Sequence, residues 1–177
     1  MPSVRISKEL NNGIYFFTLT VKNWYYILDR YGRWDILANS LEWFKKNKKI
    51  KLFAFVFMIN HIHLIIKSGD LIGFARDFKR FTTKSILSNI KQFEPGVLEI
   101  FRNENGNYEL WSKTNMPEIV ETDKFFQQKV DYIHHNPVKR NYVLNIEEWY
   151  WSSANKFCRL AADDIYEECE NKIHFKK

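Results

Sequence analysis

Residues 50–58 and 61–67 are two strand-like, mostly apolar runs separated by Ile59 and Asn60 alone. So short a join makes them neighbouring strands that meet at a turn or bulge. The second run begins Asn60-His61-Ile62-His63-Leu64-Ile65-Ile66. Side chains on a strand alternate faces, so His61 and His63 point one way and Ile62 and Leu64 the other. Two imidazoles on one face of a rigid sheet supply two-thirds of a facial metal site.

The remaining segments fit around this pair. Gly13 opens an apolar, β-branched and aromatic run over 14–21, read as a first strand. Residues 34–44 place Trp34, Leu37, Leu41 and Phe44 at the spacing of an amphipathic helix, with basic residues 45–49 near its end. After Ser68-Gly69-Asp70, a stripe of Leu71, Phe74, Phe78, Phe81, Ile86, Ile90 and Phe93 predicts a long helix over 71–93. Its other face carries Arg76, Lys79, Arg80, Lys84 and Lys91, and Glu94-Pro95-Gly96 ends it. Asn105-Gly106 between residues 98–101 and 108–111 is a hairpin signal. Thr122 or Asp123 can cap a further helix running toward His135, with Pro137 expected to close it. The tail beyond Val143 holds Trp149-Tyr150-Trp151-Ser152-Ser153 and is expected to end in a short helix. Strands in adjacent pairs with separate helices predict an α+β sandwich, helices on an antiparallel sheet.

The chain has 177 residues, expected to form one domain over 1–177 with a C-terminal extension from about residue 144. Its formal charge of +6 favours an anionic partner. Cys158 and Cys169 form neither a zinc pattern nor a disulfide framework, which suits a reducing compartment. No run reaches the roughly 18 apolar residues of a membrane span, and the N-terminus lacks an apolar signal core. The expectation is a cytoplasmic protein without a membrane partner.

The helix before Pro137 carries the second half of a site. Phe126, Val130 and Ile133 form its core stripe, and Tyr132 lies off that stripe. Asn136 follows Tyr132 by one helical turn, so both can face one point in space. If this helix crosses the histidine strand, a third ligand and a nucleophile join the imidazoles together. A neutral phenol attacks poorly, but beside a divalent cation it ionises more readily. Its attack on a phosphodiester leaves a covalent protein–DNA bond and a free 3′-hydroxyl, so the cut strand can be rejoined elsewhere.

Several blocks, in order, are similar to the single-tyrosine HUH transposases, and within them to the REP-associated tyrosine transposases. Gly13-Ile14-Tyr15-Phe16-Phe17-Thr18 resembles the family's first strand and residues 55–66 its two-histidine block. Val130-Asp131-Tyr132-Ile133-His134-His135-Asn136-Pro137-Val138-Lys139 resembles its tyrosine helix. Trp149-Tyr150-Trp151-Ser152-Ser153 resembles its C-terminal aromatic-Ser-Ser block. Ile59 stands where a proline is common, and residues 103–116 differ from the usual short Trp-Gln segment. The resemblance implies a ferredoxin-like, RRM-like α+β fold that cleaves and rejoins single-stranded DNA at hairpin-flanked sites through a 5′-phosphotyrosine. It implies Mg2+ or Mn2+, with Tyr132 as nucleophile and His61, His63 and Asn136 as ligands. It also implies nucleoid association when DNA is bound, and it allows a homodimer with exchanged tyrosine helices.

Plainer readings stand beside these. A lone His-x-His is more often structural than metal-binding, and Asn136 before a proline can be a turn residue. Tyr142 and Tyr150 are the fallback nucleophiles. His134 and His135 read as helix-end polar residues and His174 as a solvated tail residue. Lys79, Arg80 and Lys84 are candidate phosphate contacts, although a basic helix face is usually solvated surface. Lys139 and Arg140, just past the tyrosine, are better placed for the substrate strand. Two alternatives keep the histidines: a catalytically silent module that binds structured nucleic acid, and a hydrolytic metallonuclease.

Overall fold

A computed structural model describes residues 13–113 and 117–165; His174 and any helix at 166–177 lie outside the described residues. Seven main elements occur in the order β1 (Ile14–Thr20), α1 (Arg33–Lys48), β2 (Lys51–Phe57), β3 (His61–Lys67), α2 (Leu71–Phe93), β4 (Glu118–Ile119) and α3 (Asp123–Lys139). The strands form one open antiparallel sheet in the order β2-β3-β1-β4. With helices after β1 and β3 packed against it, this is a ferredoxin-like, RRM-like α+β fold. Among the described residues no helix is long and apolar enough to cross a membrane.

Strand alternation divides the core in two. Tyr15, Phe17, Leu19, Ile62, Leu64 and Ile66 face α1 and α2, which contribute Leu37, Leu41, Phe74, Phe78 and Ile86. Ile14, Phe16, Val56 and Ile65 face the other way, toward Ile133, Val130 and Phe126 of α3. An irregular register between Leu52 and Ala54 lets Phe53 and Ala54 both join this second core. His61 and His63, in phase with Ile65, therefore lie on the α3 side of the sheet.

β2 and β3 join through a tight turn, in which Met58 N–H donates to His61 C=O at 2.8 Å. The opposite edge of β2 is covered by the tail: Phe57 N–H donates to Trp151 C=O at 2.8 Å, and Ser153 N–H to Phe55 C=O at 3.0 Å. A covered edge has no free ladder to offer another chain. Asp70 caps α2 by accepting from Gly73 N–H at 2.9 Å, and Thr122 caps α3 by accepting from Phe125 N–H at 3.2 Å. Arg33 is fully buried at the start of α1 and donates to Ile27 C=O at 2.7 Å, to Asn89 Oδ1 at 2.8 Å and to the Glu94 carboxylate.

Two expectations need correcting. Pro137 does not close α3, which runs on to Lys139 and ends against Asn141 in a left-handed conformation, φ 57°. The hairpin at 98–111 has no strand arms, residues 108–111 making only isolated bridges, Tyr108 to Arg102 and Trp111 to Val21. Its turn is present, with Arg102 bridged to Tyr108 and Gly106 at φ 79°, but residues 95–101 form a 3-10 helix. The described part of the tail holds only a 3-10 turn, Ile146–Glu148. The short β4, which completes the sheet beside β1, was not expected.

Candidate active site

β3 and α3 bring the predicted residues together on one sheet face. The His61 and His63 rings lie 4.8 Å apart, centroid to centroid. The Tyr132 ring meets His63 edge-on at 5.2 Å, and it also meets the edge of Phe16 at 5.8 Å. Phe16 also stacks on His63 at 5.4 Å, so the three rings touch one another in a cluster. Both imidazoles are 4% exposed and Asn136 is 7% exposed, whereas Tyr132 is 41% exposed. The arrangement is thus a buried polar floor with a phenol open to an incoming chain. All of it comes from a single polypeptide.

The hydrogen-bond network orients each ring. Asn60 Nδ2 donates to Trp24 C=O at 3.1 Å, which turns its Oδ1 toward His61 Nδ1, 2.7 Å away. That network assigns a proton to His61 Nδ1 and a lone pair to Nε2. The Asn136 side chain also hydrogen-bonds to the His61 ring. Thr18 Oγ1 lies 2.8 Å from His63 Nδ1, while His63 Nε2 is buried without a hydrogen-bond partner among the described residues. A buried orphan of this kind calls for an explanation. His63, its Nδ1 engaged by Thr18 and its Nε2 left over, has the form a metal-ligating histidine takes, while the His61 ring is held by Asn60 and Asn136.

Electrostatics favour the neutral, ligating form. Burial, reinforced by Arg140, lowers His61 to about 4, although the Asn136 hydrogen bond opposes the shift. Burial lowers His63 to about 3, with His61, Lys129 and Arg140 adding to the effect. The described residues hold no group of three or more His, Cys, Asp or Glu side chains able to bind a metal. A donor set here is two imidazoles and the Asn136 amide. Together they could hold a divalent cation such as Mn2+ or Mg2+, the amide oxygen being the ligand type those ions prefer.

The basic candidates separate. Lys139 Nζ sits 5.4 Å from the Tyr132 ring centroid, and Arg140 acts on both imidazoles. Lys79, Arg80 and Lys84 lie on α2, which packs against the opposite face of the sheet. Arg80 there pairs with Asp77 at 3.4 Å. Tyr142 stacks on Trp149 at 5.5 Å, and Tyr150 meets the edge of Trp151 at 5.1 Å. His134 Nε2 lies 2.8 Å from Ser153 Oγ, linking α3 to the tail. Four participants were not foreseen: Asn60, Thr18, Phe16 and Trp24. Asn60 was readable as the neighbour of His61. Thr18 and Phe16 depend on β1 pairing with β3 in the register Thr18↔His63, which no local pattern encodes.

The fold and these rings define an open-sheet α+β protein with a histidine pair and a tyrosine poised on one face. The chain is homologous to the REP-associated tyrosine transposases. It is 26% identical over 168 residues to a protein of Haemophilus influenzae named as a candidate REP-associated tyrosine transposase, covering 88% of this chain and 86% of that one. It is 24% identical over 162 residues to the REP-associated tyrosine transposase of Escherichia coli, covering 89% and 84%. A solved REP-associated tyrosine transposase, bound to a REP hairpin, shares the fold with a TM-score of 0.68 at 20% identity, over 93% of each chain. No protein-family model matches the chain.

Proposed function

We propose that this protein is a DNA transposase that nicks and rejoins single-stranded DNA at hairpin-flanked sites through a covalent bond to Tyr132. The observation that carries the reading is the exposed Tyr132 ring, 5.2 Å from a buried, unprotonated His63 that is itself 4.8 Å from His61. Homology to REP-associated tyrosine transposases supports the same reaction class.

His61, His63 and Asn136 would hold the divalent cation. Bound there, Mg2+ or Mn2+ polarises a phosphate oxygen and offsets charge that develops at phosphorus. The chain does the rest. Thr18 and Asn60 hold the imidazoles in place, and the hydrophobic surround keeps them neutral. Lys139 and Arg140 draw the phosphate backbone toward the phenol. Tyr132 Oη attacks phosphorus; the Oη–P bond forms as the P–O3′ bond breaks. The phenol's proton passes to solvent, and the departing 3′ oxygen takes up a proton to become a hydroxyl. Because the phosphoester is conserved in the linkage, a 3′-hydroxyl can later reverse the step on another strand.

Incubating the protein with hairpin-bearing oligonucleotides and Mn2+ or Mg2+ should give an adduct that survives denaturing electrophoresis and maps to Tyr132 by mass spectrometry. Tyr132→Phe should abolish the adduct and leave DNA binding nearly intact. An adduct that persists in that variant would move the nucleophile elsewhere. Binding without any adduct would instead indicate a silent recognition module. A free 5′-phosphate product that survives loss of Tyr132 would indicate hydrolysis.

A further inference from the structure

Three large aromatic side chains unused by the proposed reaction are exposed close to the histidines: Trp24 at 55%, Tyr26 at 58% and Tyr142 at 40%. The Trp24 indole meets the His61 ring edge-on at 5.7 Å. Its backbone is left-handed, φ 58°, as is that of Asn23 at φ 55°. A bulky residue adopts this conformation only where its surroundings impose it. Here Trp24 N–H donates to Val21 C=O at 3.0 Å, and its carbonyl accepts from Asn60 Nδ2 at 3.1 Å. The same Asn60 amide orients His61. One side chain therefore holds both the histidine and an exposed, strained tryptophan.

The surface continues from there. Ile27 N–H donates to Ile59 C=O at 3.1 Å, which sets Tyr26 beside the β2–β3 turn, and Tyr142 N–H donates to Pro137 C=O at 3.0 Å, one residue past Asn136. Tyr142 stacks on Trp149, whose indole is anchored to the sheet by its Nε1–H donating to Phe57 C=O at 2.9 Å. Arg140, at the end of α3 with its N–H donating to Asn136 C=O at 3.2 Å, brings its charge near both the histidine pair and Tyr142. Exposed rings with a cation among them, leading away from a buried polar site, match the needs of an unpaired nucleic-acid strand. Bases stack on the rings whatever their sequence, and the cation meets the phosphates.

We propose that Trp24, Tyr26 and Tyr142, with Arg140, form a stacking track for the unpaired nucleotides adjoining the phosphodiester cut at Tyr132. The proposal rests on the transposase reading and adds where the single strand lies.

The test is equilibrium binding in chelator, with chemistry off, of fluorescent hairpin pools bearing randomised single-stranded flanks, the same hairpins with abasic flanks, and blunt hairpins. The unmodified protein should bind intact flanks more tightly than abasic ones by roughly 5- to 150-fold per base stacked. Trp24→Ala, Tyr26→Ala and Tyr142→Ala should each erode that preference and leave blunt-hairpin binding unchanged. Trp24→Phe, which keeps an aromatic ring, should restore most of it. Equal affinity of the unmodified protein for intact and abasic flanks would overturn the track with no variant needed. Equal weakening of blunt and flanked hairpins would overturn it as well. The parallel adduct assay separates the two readings: adduct without flank preference removes the track alone, and flank preference without adduct removes the chemistry alone.

Discussion

Burial sets the character of the two imidazoles. An exposed histidine titrates near 6.5, but here His61 is held at about 4 and His63 at about 3. Between those values and 6.5 the unfolded chain binds protons that the folded chain refuses. Stability is then fully present above about 6.5 and is lost as pH falls through that window toward the folded values. The metal-free protein should therefore show a falling thermal midpoint from pH 7 to pH 4, and His63→Gln should flatten that slope. A slope unchanged in the variant would mean that His63 titrates like a solvated side chain. Thr18 offers a second check at the same scale. On the proposed ligand set, removing its hydroxyl with Thr18→Val should weaken Mn2+ binding about 10–100-fold, read by calorimetry, while the circular dichroism spectrum stays the same.

Among the elements, α1 and α2 are tied by a buried charge as well as by apolar packing. The Arg33 guanidinium reaches Asn89 and Glu94, near the end of α2, and the carbonyl of Ile27. Arg33→Ala would leave the Ile27 carbonyl and Asn89 Oδ1 without their donor, and the Glu94 carboxylate with only the more exposed Arg30 at 3.5 Å. Denaturant unfolding should then show a loss of about 3–5 kcal/mol. A loss below about 1 kcal/mol would place the ion pair among ordinary surface pairs. The end of α3 shows why proline misleads. The residue before a proline disfavours helical geometry, and the proline cannot donate to the carbonyl four residues back. Yet Asn136 is helical here, buried, with its side chain bonded to His61. Contacts with a distant strand outweigh a local preference, and no reading of residues 130–140 alone contains those contacts.

Across the whole molecule the sheet acts as a partition. One face carries α1 and α2 with Lys79, Arg80 and Lys84; the other carries α3, the histidines, Tyr132, Lys139 and Arg140. The phenol and the imidazoles meet within one chain, so a second copy is not needed to complete the set. Mixing Tyr132→Phe chains with His63→Gln chains should therefore yield no adduct. Recovery of adduct in the mixture would mean that copies exchange the tyrosine helix.

The order of the first three strands and the three long helices, the shared face of His61 and His63, and the helical turn between Tyr132 and Asn136 were all legible in residue order. Each follows from a period of two or of 3.6 acting on near neighbours. The pairing of Thr18 with His63, the fourth strand, the helix running past Pro137 and the left-handed Trp24 beside His61 were not. They depend on β1 settling between β3 and β4, and on α3 crossing the sheet. Contacts between residues tens of positions apart are chosen by packing the whole chain, and periodicity carries no information about them.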